Sequence, residues 1–288
     1  MIRDTRYIFF GTPRFAAIIL EKLIDAGMPP VALVCNPDRP VGRKQVITPP
    51  PTKEVVIRDK RQGIKIFQPK TKEELVTISD QLFQDADFGI VAAYAMIIPK
   101  EVIEKSKLGI IGVHPSLLPK FRGPSPIQSA ILAGEKETGV SLFLMDEKLD
   151  HGPIIAERKI TINNLFAYSR ELENRLAEVS AELLIETLPN LMEGKTTPLS
   201  QDEFHATYTK KFASEDAFIS EEDLVAATSG RSPKEATEID RKIRALNPEP
   251  GVWTLQRDKR VKLLEAVIGS NKLVLKKIQE EGKKPKTY

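Results

Sequence analysis

The feature that most constrains this sequence is a pattern repeated through its N-terminal part: a short, continuously apolar run, then a turn, then apolar residues at helical spacing. Tyr7, Ile8, Phe9 and Phe10 run into Gly11-Thr12-Pro13, after which Phe15, Ala16, Ile19, Leu20, Leu23 and Ile24 recur with the period of a helix. Further runs at 31–35, 64–67, 87–93 and 109–113 read as strands, with helical stretches between several of them. Several of these runs are unbroken Val/Ile/Leu stretches, as expected of a parallel sheet covered on both faces. The predicted fold class is α/β, a Rossmann-like and mostly parallel sheet with helices on both faces. No GxGxxG follows the first strand and no GxxxxGK[ST] occurs, which points away from a dinucleotide or a P-loop nucleotide.

At 288 residues the chain exceeds what one hydrophobic core usually serves. A helix over 166–193, with Leu172, Leu176, Val179, Leu183, Leu184 and Leu188 on its apolar face, is stopped by Gly194 and Pro198. This sets a first domain over 1–195, a linker over 196–208 and a second domain over 209–288. In the second, a helix near 233–245 precedes alternating segments at 252–256, 261–267 and 272–278, the pattern of a small, OB-like β-barrel that three strands would leave shortened. Residues 36–51, NPDRPVGRKQVITPPP, have no apolar periodicity and are expected to be a long loop, a class of segment that often carries function.

Charge is unevenly distributed. The whole chain is only +3, whereas residues 241–288 hold 13 Lys/Arg against 5 Asp/Glu. Such a tail fits contact with phosphates, and a solvated lysine-rich surface explains the charge equally well. Cys35 is the only cysteine and the three histidines are scattered, so neither an intrachain disulfide nor a closed zinc site is expected, and no metal is anticipated. No apolar run approaches the roughly 20 residues of a membrane span, and the opening Met1-Ile2-Arg3-Asp4 lacks the order of a signal peptide. A cytoplasmic chain, off the membrane and monomeric, is the expectation.

The densest cluster of unusual residues is 112–126, GVHPSLLPKFRGPSP, placed where a strand of the sheet ends. Ligands of open α/β sheets bind at that edge. There His114 is well placed for acid–base work or for polarising a carbonyl. A lone histidine is more often structural. Asp150, in a second loop (MDEKLDHGP, 145–153) after an expected strand at 140–144, strengthens the chemical reading.

These residues belong to an ordered set that runs through nearly the whole chain. It includes Phe10-Gly11-Thr12-Pro13, Asn36-Pro37-Asp38-Arg39-Pro40 with Gly42-Arg43, Ala93-Tyr94 before Ile98-Pro99, His114 with Ser116-Leu117-Leu118-Pro119 and Arg122-Gly123, Thr138-Gly139-Val140, and Leu149-Asp150 with Gly152. In this set the chain resembles the folate-dependent formyltransferases, and among them the methionyl-tRNA formyltransferases. Ala206-Thr207-Tyr208 with Lys210-Lys211, and Ala245-Leu246-Asn247-Pro248 before Gly251-Val252-Trp253, resemble the linker and C-terminal domain of the tRNA enzymes.

The resemblance implies transfer of a formyl group from 10-formyltetrahydrofolate to the amino group of initiator methionyl-tRNA, for translation initiation. It implies that His114 donates to the oxyanion and that Asp150 orients His114 and helps take the amine's proton. It places the folate against Tyr94, Ser116, Leu117, Leu118, Pro119, Asp146 and Asp150, and the tRNA against Arg39, Arg43, Lys44 and Arg122. The second domain would bind tRNA.

One departure bears on the chemistry. Where the resemblance implies an asparagine, two residues before the histidine, this chain has Gly112. The asparagine would be the second side-chain donor to the oxyanion, and losing one such donor costs on the order of 100- to 1,000-fold in rate. Water or a backbone N–H could fill the gap, another side chain such as His151 could substitute, or the chain could be slow or inactive. Smaller departures are Ala95 and Ser220. Alternative functions are formylation of another amine, such as an amino sugar nucleotide, hydrolysis of the formyl carrier, or an RNA-binding role with weakened catalysis.

Overall fold

The computed structural model describes residues 6–42, 44–59, 63–163 and 168–288. Arg43 and the first two residues of the expected helix at 166–193 lie outside the described residues. The chain divides into two compact units. One comprises 1–122, 139–159 and 174–207, and the other 123–138, 160–173 and 208–288.

The first unit is built on a seven-stranded sheet in the order β5-β2-β1-β6-β7-β8-β9. Its strands are β1 (Tyr7–Gly11), β2 (Ala32–Val34), β5 (Lys65–Phe67), β6 (Phe88–Ala92), β7 (Ile110–His114), β8 (Glu137–Leu144) and β9 (Ile154–Thr161). The first five run parallel, and β8 returns antiparallel to β7 with Gly112 opposite Phe143 and His114 opposite Ser141. Every residue of β1 and of β7 is buried, as their unbroken apolar runs require.

Helix α1 (Arg14–Asp25) buries Phe15, Ala16, Ile19, Leu20, Leu23 and Ile24, the residues that mark its period in the sequence. Full burial stabilises each of the large aliphatic and aromatic side chains by about 1.5–3 kcal/mol. Helix α3 (Lys72–Gln84) starts at Thr71, whose hydroxyl accepts from the Glu74 N–H while the Glu74 carboxylate accepts from the Lys70 N–H. These contacts satisfy donors that the first turn leaves open. Helix α4 (Lys100–Ile103) is a single turn. Helix α6 (Ser169–Met192) ends before Gly194, whose φ of +65° suits glycine.

The stretch at 36–51 is not simply a loop. It contains a hairpin of β3 (Arg39–Val41) and β4 (Val46–Thr48), and α2 (Pro51–Arg58) begins at its end. Gly42 and Gln45, at φ +71° and +51°, make the turn. Two-residue alternation over three residues is too short to stand out beside five prolines, which explains why the sequence reads as loop.

The second unit contains α5 (Pro126–Ala133), α7 (Glu221–Ser229), α8 (Pro233–Leu246) and a four-stranded antiparallel sheet in the order β10-β11-β12-β13. Its strands are β10 (Trp253–Gln256), β11 (Lys259–Gly269), β12 (Lys272–Glu280) and β13 (Lys286–Thr287). The three alternating segments of the sequence are the first three of these, and β13 completes the sheet. Ser220 caps α7 by accepting from the Asp223 N–H, giving a structural use to a residue that departs from the resemblance. Trp253 packs on Phe218 and lies under the Arg260 guanidinium, 4.3 Å from its ring centroid. Among the described residues, no helix is long and apolar enough to cross a membrane.

Candidate active site

His114 is the last residue of β7 and is 6% exposed. Its Nε2 lies 2.8 Å from the Phe121 carbonyl oxygen. A carbonyl only accepts, so Nε2 carries the hydrogen and the tautomer is set by this contact. Nδ1 then faces the Asp150 carboxylate, with 3.7 Å between Nδ1 and Oδ2. The two residues picked from the sequence, 36 positions apart, are thus brought together at the carboxyl edge of the parallel strands.

Both loops that hold the pair are tightly specified. Phe121 has φ +60°, an uncommon conformation for a bulky residue, and its N–H donates to the Thr207 hydroxyl at 2.8 Å. The Arg122 N–H donates to the Thr207 carbonyl, and the Thr207 N–H to the Pro119 carbonyl. Asp150 has φ +48°. At Gly152 a Cβ would strike the Leu144 carbonyl, so only glycine lets the 150–152 backbone pass β8. Ser116 donates to the Lys120 carbonyl at 2.7 Å, and the Leu118 N–H donates to Ser141 Oγ at 3.0 Å. These two serines hold the loop's shape.

Gly112 explains itself through its neighbour across the ladder. A Cβ built on it would lie 3.0 Å from Phe143 Cδ1 and closer still to Cε1 and Cζ. The space that a side chain at 112 would enter is occupied by the Phe143 ring, which is 3% exposed. His151 is not a spare donor either. Its Nδ1 is 2.5 Å from Asp146 Oδ2 and its Nε2 is 3.5 Å from Glu203 Oε1, so both ring nitrogens face carboxylates.

Tyr94 follows β6 and packs with Met96, Val91 and Met145 against the core around Phe10. Its hydroxyl is buried with no hydrogen-bond partner among the described residues, and burial, then the neighbouring Cys35, push its pKa up to about 12. Asp146 is engaged within its own loop, accepting from the Lys148 N–H at 2.9 Å as well as facing His151. Leu118 is 5% exposed.

Arg39 and Lys44 are exposed on the β3–β4 hairpin. The hairpin is pinned by Asp38, which accepts from Lys53 Nζ at 2.8 and 2.9 Å and from Gln68 Nε2 at 2.9 Å. The hydrogen bond from Lys53, then that from Gln68, hold the Asp38 carboxyl below the usual range. Arg122, in contrast, is wholly buried. Its guanidinium donates to Gln201 Oε1 at 3.0 and 2.7 Å and to Glu203 at 3.1 and 2.6 Å. It is an internal tie between the 114–122 loop and the 199–207 segment, a placement its sequence neighbourhood does not reveal.

The first unit is thus a mostly parallel α/β sheet that carries the His114–Asp150 pair at the carboxyl edge of its parallel strands, and the second is an α+β unit with an antiparallel sheet. The formyl transferase family pattern matches residues 5–188, and the formyl transferase C-terminal domain matches residues 233–276. The chain belongs to the formyl transferase family. It is 36% identical over 269 residues to a methionyl-tRNA formyltransferase of Listeria welshimeri, covering 93% of this chain and 81% of that one. Among solved structures, the methionyl-tRNA formyltransferase of Clostridium thermocellum superposes with a TM-score of 0.60 at 18% identity, covering 96% of this chain and 98% of that one. HypX of Aquifex aeolicus in complex with tetrahydrofolic acid superposes with a TM-score of 0.65 at 19% identity, covering 98% of this chain and 45% of that one.

Proposed function

We propose that this chain transfers the formyl group of 10-formyltetrahydrofolate to the α-amino group of methionyl-tRNA. The observation that carries the reading is the His114–Asp150 pair at the carboxyl edge of β7, in a chain related to methionyl-tRNA formyltransferases over 93% of its length. Residues 1–195 act as the catalytic domain, 196–208 as the linker and 209–288 as the RNA-binding domain.

The Tyr94 hydroxyl, which has no partner among the described residues, and the apolar side chains beside it supply a polar atom and a wall for a flat heterocycle, which is the fit a folate ring requires. Leu117, Leu118 and Pro119 complete that wall, and the 146–150 loop contributes backbone, since the Asp146 carboxylate is engaged. When bound, the carrier supplies the formyl carbon. With His114 Nε2–H held by Phe121, the amine nitrogen bonds to the formyl carbon and the proton it loses is received at Nδ1, beside Asp150 Oδ2. The Nδ1–H so formed stabilises the oxyanion of the adduct, an interaction that the burial of the ring strengthens; as the oxyanion collapses, the bond from the formyl carbon to N10 of the carrier breaks and that proton passes to N10. Arg39, Lys44 and Arg43 reach the phosphates of the acceptor end.

The test is formyl transfer from 10-formyltetrahydrofolate to methionyl-tRNA, with uncharged tRNA and an amino sugar nucleotide as alternative acceptors. A labelled formyl group on methionyl-tRNA, lost in His114→Ala, is the expected result. Transfer only to the amino sugar, or folate binding without transfer to either, would overturn the reading.

A further inference from the structure

Gln201 lies in the segment between the first unit's last helix and the second unit's strands, outside every motif in the sequence. Its side-chain amide makes four contacts. Oε1 accepts from Arg122 Nε at 3.0 Å and from Arg122 Nη2 at 2.7 Å, while Nε2 donates to the Asp150 carbonyl at 2.9 Å and to the Gly152 carbonyl at 2.8 Å. A guanidinium only donates and a carbonyl only accepts, so the amide has one possible orientation, and its two hydrogens and both lone pairs of its oxygen are engaged.

The two ends of this amide lead to the two halves of the His114–Asp150 pair. Arg122 follows Phe121, whose carbonyl holds His114 Nε2. Asp150 and Gly152 bracket the turn that presents the carboxylate to His114 Nδ1. Asp150 sits at φ +48°, and a Cβ at Gly152 would strike the Leu144 carbonyl. The turn is therefore held both by its close approach to the end of β8 and by the Gln201 amide. Gln201 is itself fixed, because Leu199 exchanges both backbone hydrogen bonds with Ile154 at 2.7 and 2.8 Å, and Thr207 joins the Phe121 and Arg122 backbone.

We propose that Gln201 is a positioning residue that sets the separation of Asp150 from His114, acting through the Asp150 and Gly152 carbonyls and not on substrate. The inference rests on the formyl-transfer reading of that pair. The Gln201→Glu variant isolates the effect. It keeps the length and the oxygen that Arg122 needs, but it turns a second carboxylate oxygen toward two carbonyls in place of the two N–H donors. Displacement of a reacting group by about 1 Å costs on the order of 100-fold in rate.

The experiment measures kcat and KM for formyl transfer in the full chain, in Gln201→Glu and Gln201→Met, and in each combined with Asp150→Ala. Thermal unfolding of each variant verifies that it folds. The expected result is a fall in kcat on the order of 100-fold with KM for methionyl-tRNA little changed, and no further loss once Asp150 is already alanine. A merely structural role would lower kcat by the same factor in both backgrounds, and that result overturns the proposal, as does an unchanged kcat in Gln201→Glu. The ring nitrogens of His114, followed by 15N NMR, give a readout that needs no substrate. If the parent chain transfers no formyl group, the formyl-transfer reading fails by itself, and an Nδ1 resonance unmoved by Gln201→Glu then overturns the positioning role as well.

Discussion

Placing an asparagine at position 112 is the obvious way to supply a second oxyanion donor, and the register of β7 and β8 shows why it fails when done alone. Carbon atoms in contact sit about 3.5–4.0 Å apart, whereas any Cβ at 112 would lie 3.0 Å from Phe143 Cδ1 and nearer to two further ring carbons. The ring would have to retreat by more than about 1 Å, judged from its nearest carbons against that contact distance, into a layer that is already closed. Overpacking of this kind costs about 1–3 kcal/mol. Gly112→Asn is therefore expected to be less stable by that amount and to gain no activity, because the ring blocks the amide from its working position. Phe143→Met, an unbranched side chain that can bend aside, costs under about 1.5 kcal/mol by itself. In the double variant the two losses do not add: a coupling of about 1–2 kcal/mol in favour of the pair is expected from contacting residues. Formyl transfer should then rise on the order of 100-fold over the parent chain, the value of one oxyanion donor. Urea unfolding of the four proteins of the cycle gives the coupling, and single-turnover transfer gives the rate. If the four stabilities add to within about 0.5 kcal/mol, or Gly112→Asn alone is as stable as the parent, Phe143 does not occupy the asparagine's space and the reasoning is wrong.

Two other outcomes follow from the same geometry. The hydrogen bond from Arg122 lowers the Glu203 pKa below its ordinary value near 4.3, so the stability of this tie is present at neutral pH. That contribution is lost as pH falls through the lowered folded-state pKa, and Glu203→Gln is expected to flatten the acid limb of the unfolding midpoint against pH. On the hairpin, Arg39→Ala with Lys44→Ala should raise KM for methionyl-tRNA, leave folate affinity unchanged, and reduce the slope of log affinity against log salt by about 1 for each phosphate contact removed. Equal losses for both substrates would show that the hairpin supports the fold and not the RNA.

The fold was legible where side-chain pattern and backbone state coincide. Tyr7 to Phe10, and the strand leading to His114, are apolar without interruption because both faces of a central parallel strand are covered, and that condition writes itself into consecutive residues. The hairpin at Arg39–Thr48 was illegible for the opposite reason. Its side chains at Val41, Val46 and Ile47 are exposed on both strands, so no burial constraint imposes a period on them. Edge strand β9 shows a similar loss, since only part of each of its residues is shielded and several are charged.

The site divides along the same line. His114 and Asp150 could be picked out because the one ends a strand, the other follows one, and each belongs to a residue type with few structural uses at that place. What holds them apart is recorded in backbone atoms and in side chains of ordinary type: the Phe121 carbonyl, the turn glycine at 152, and the amide of Gln201. A carbonyl has no signature in sequence, and an amide among polar neighbours has almost none. Gly112 lies between these cases. A glycine inside an apolar strand signals that another group approaches closely, and the sequence carried that signal in full. The identity of the group, Phe143, came only from pairing β8 against β7, because a register cannot be read from either strand alone. At 112 the ring of Phe143 takes the volume that a side chain would need.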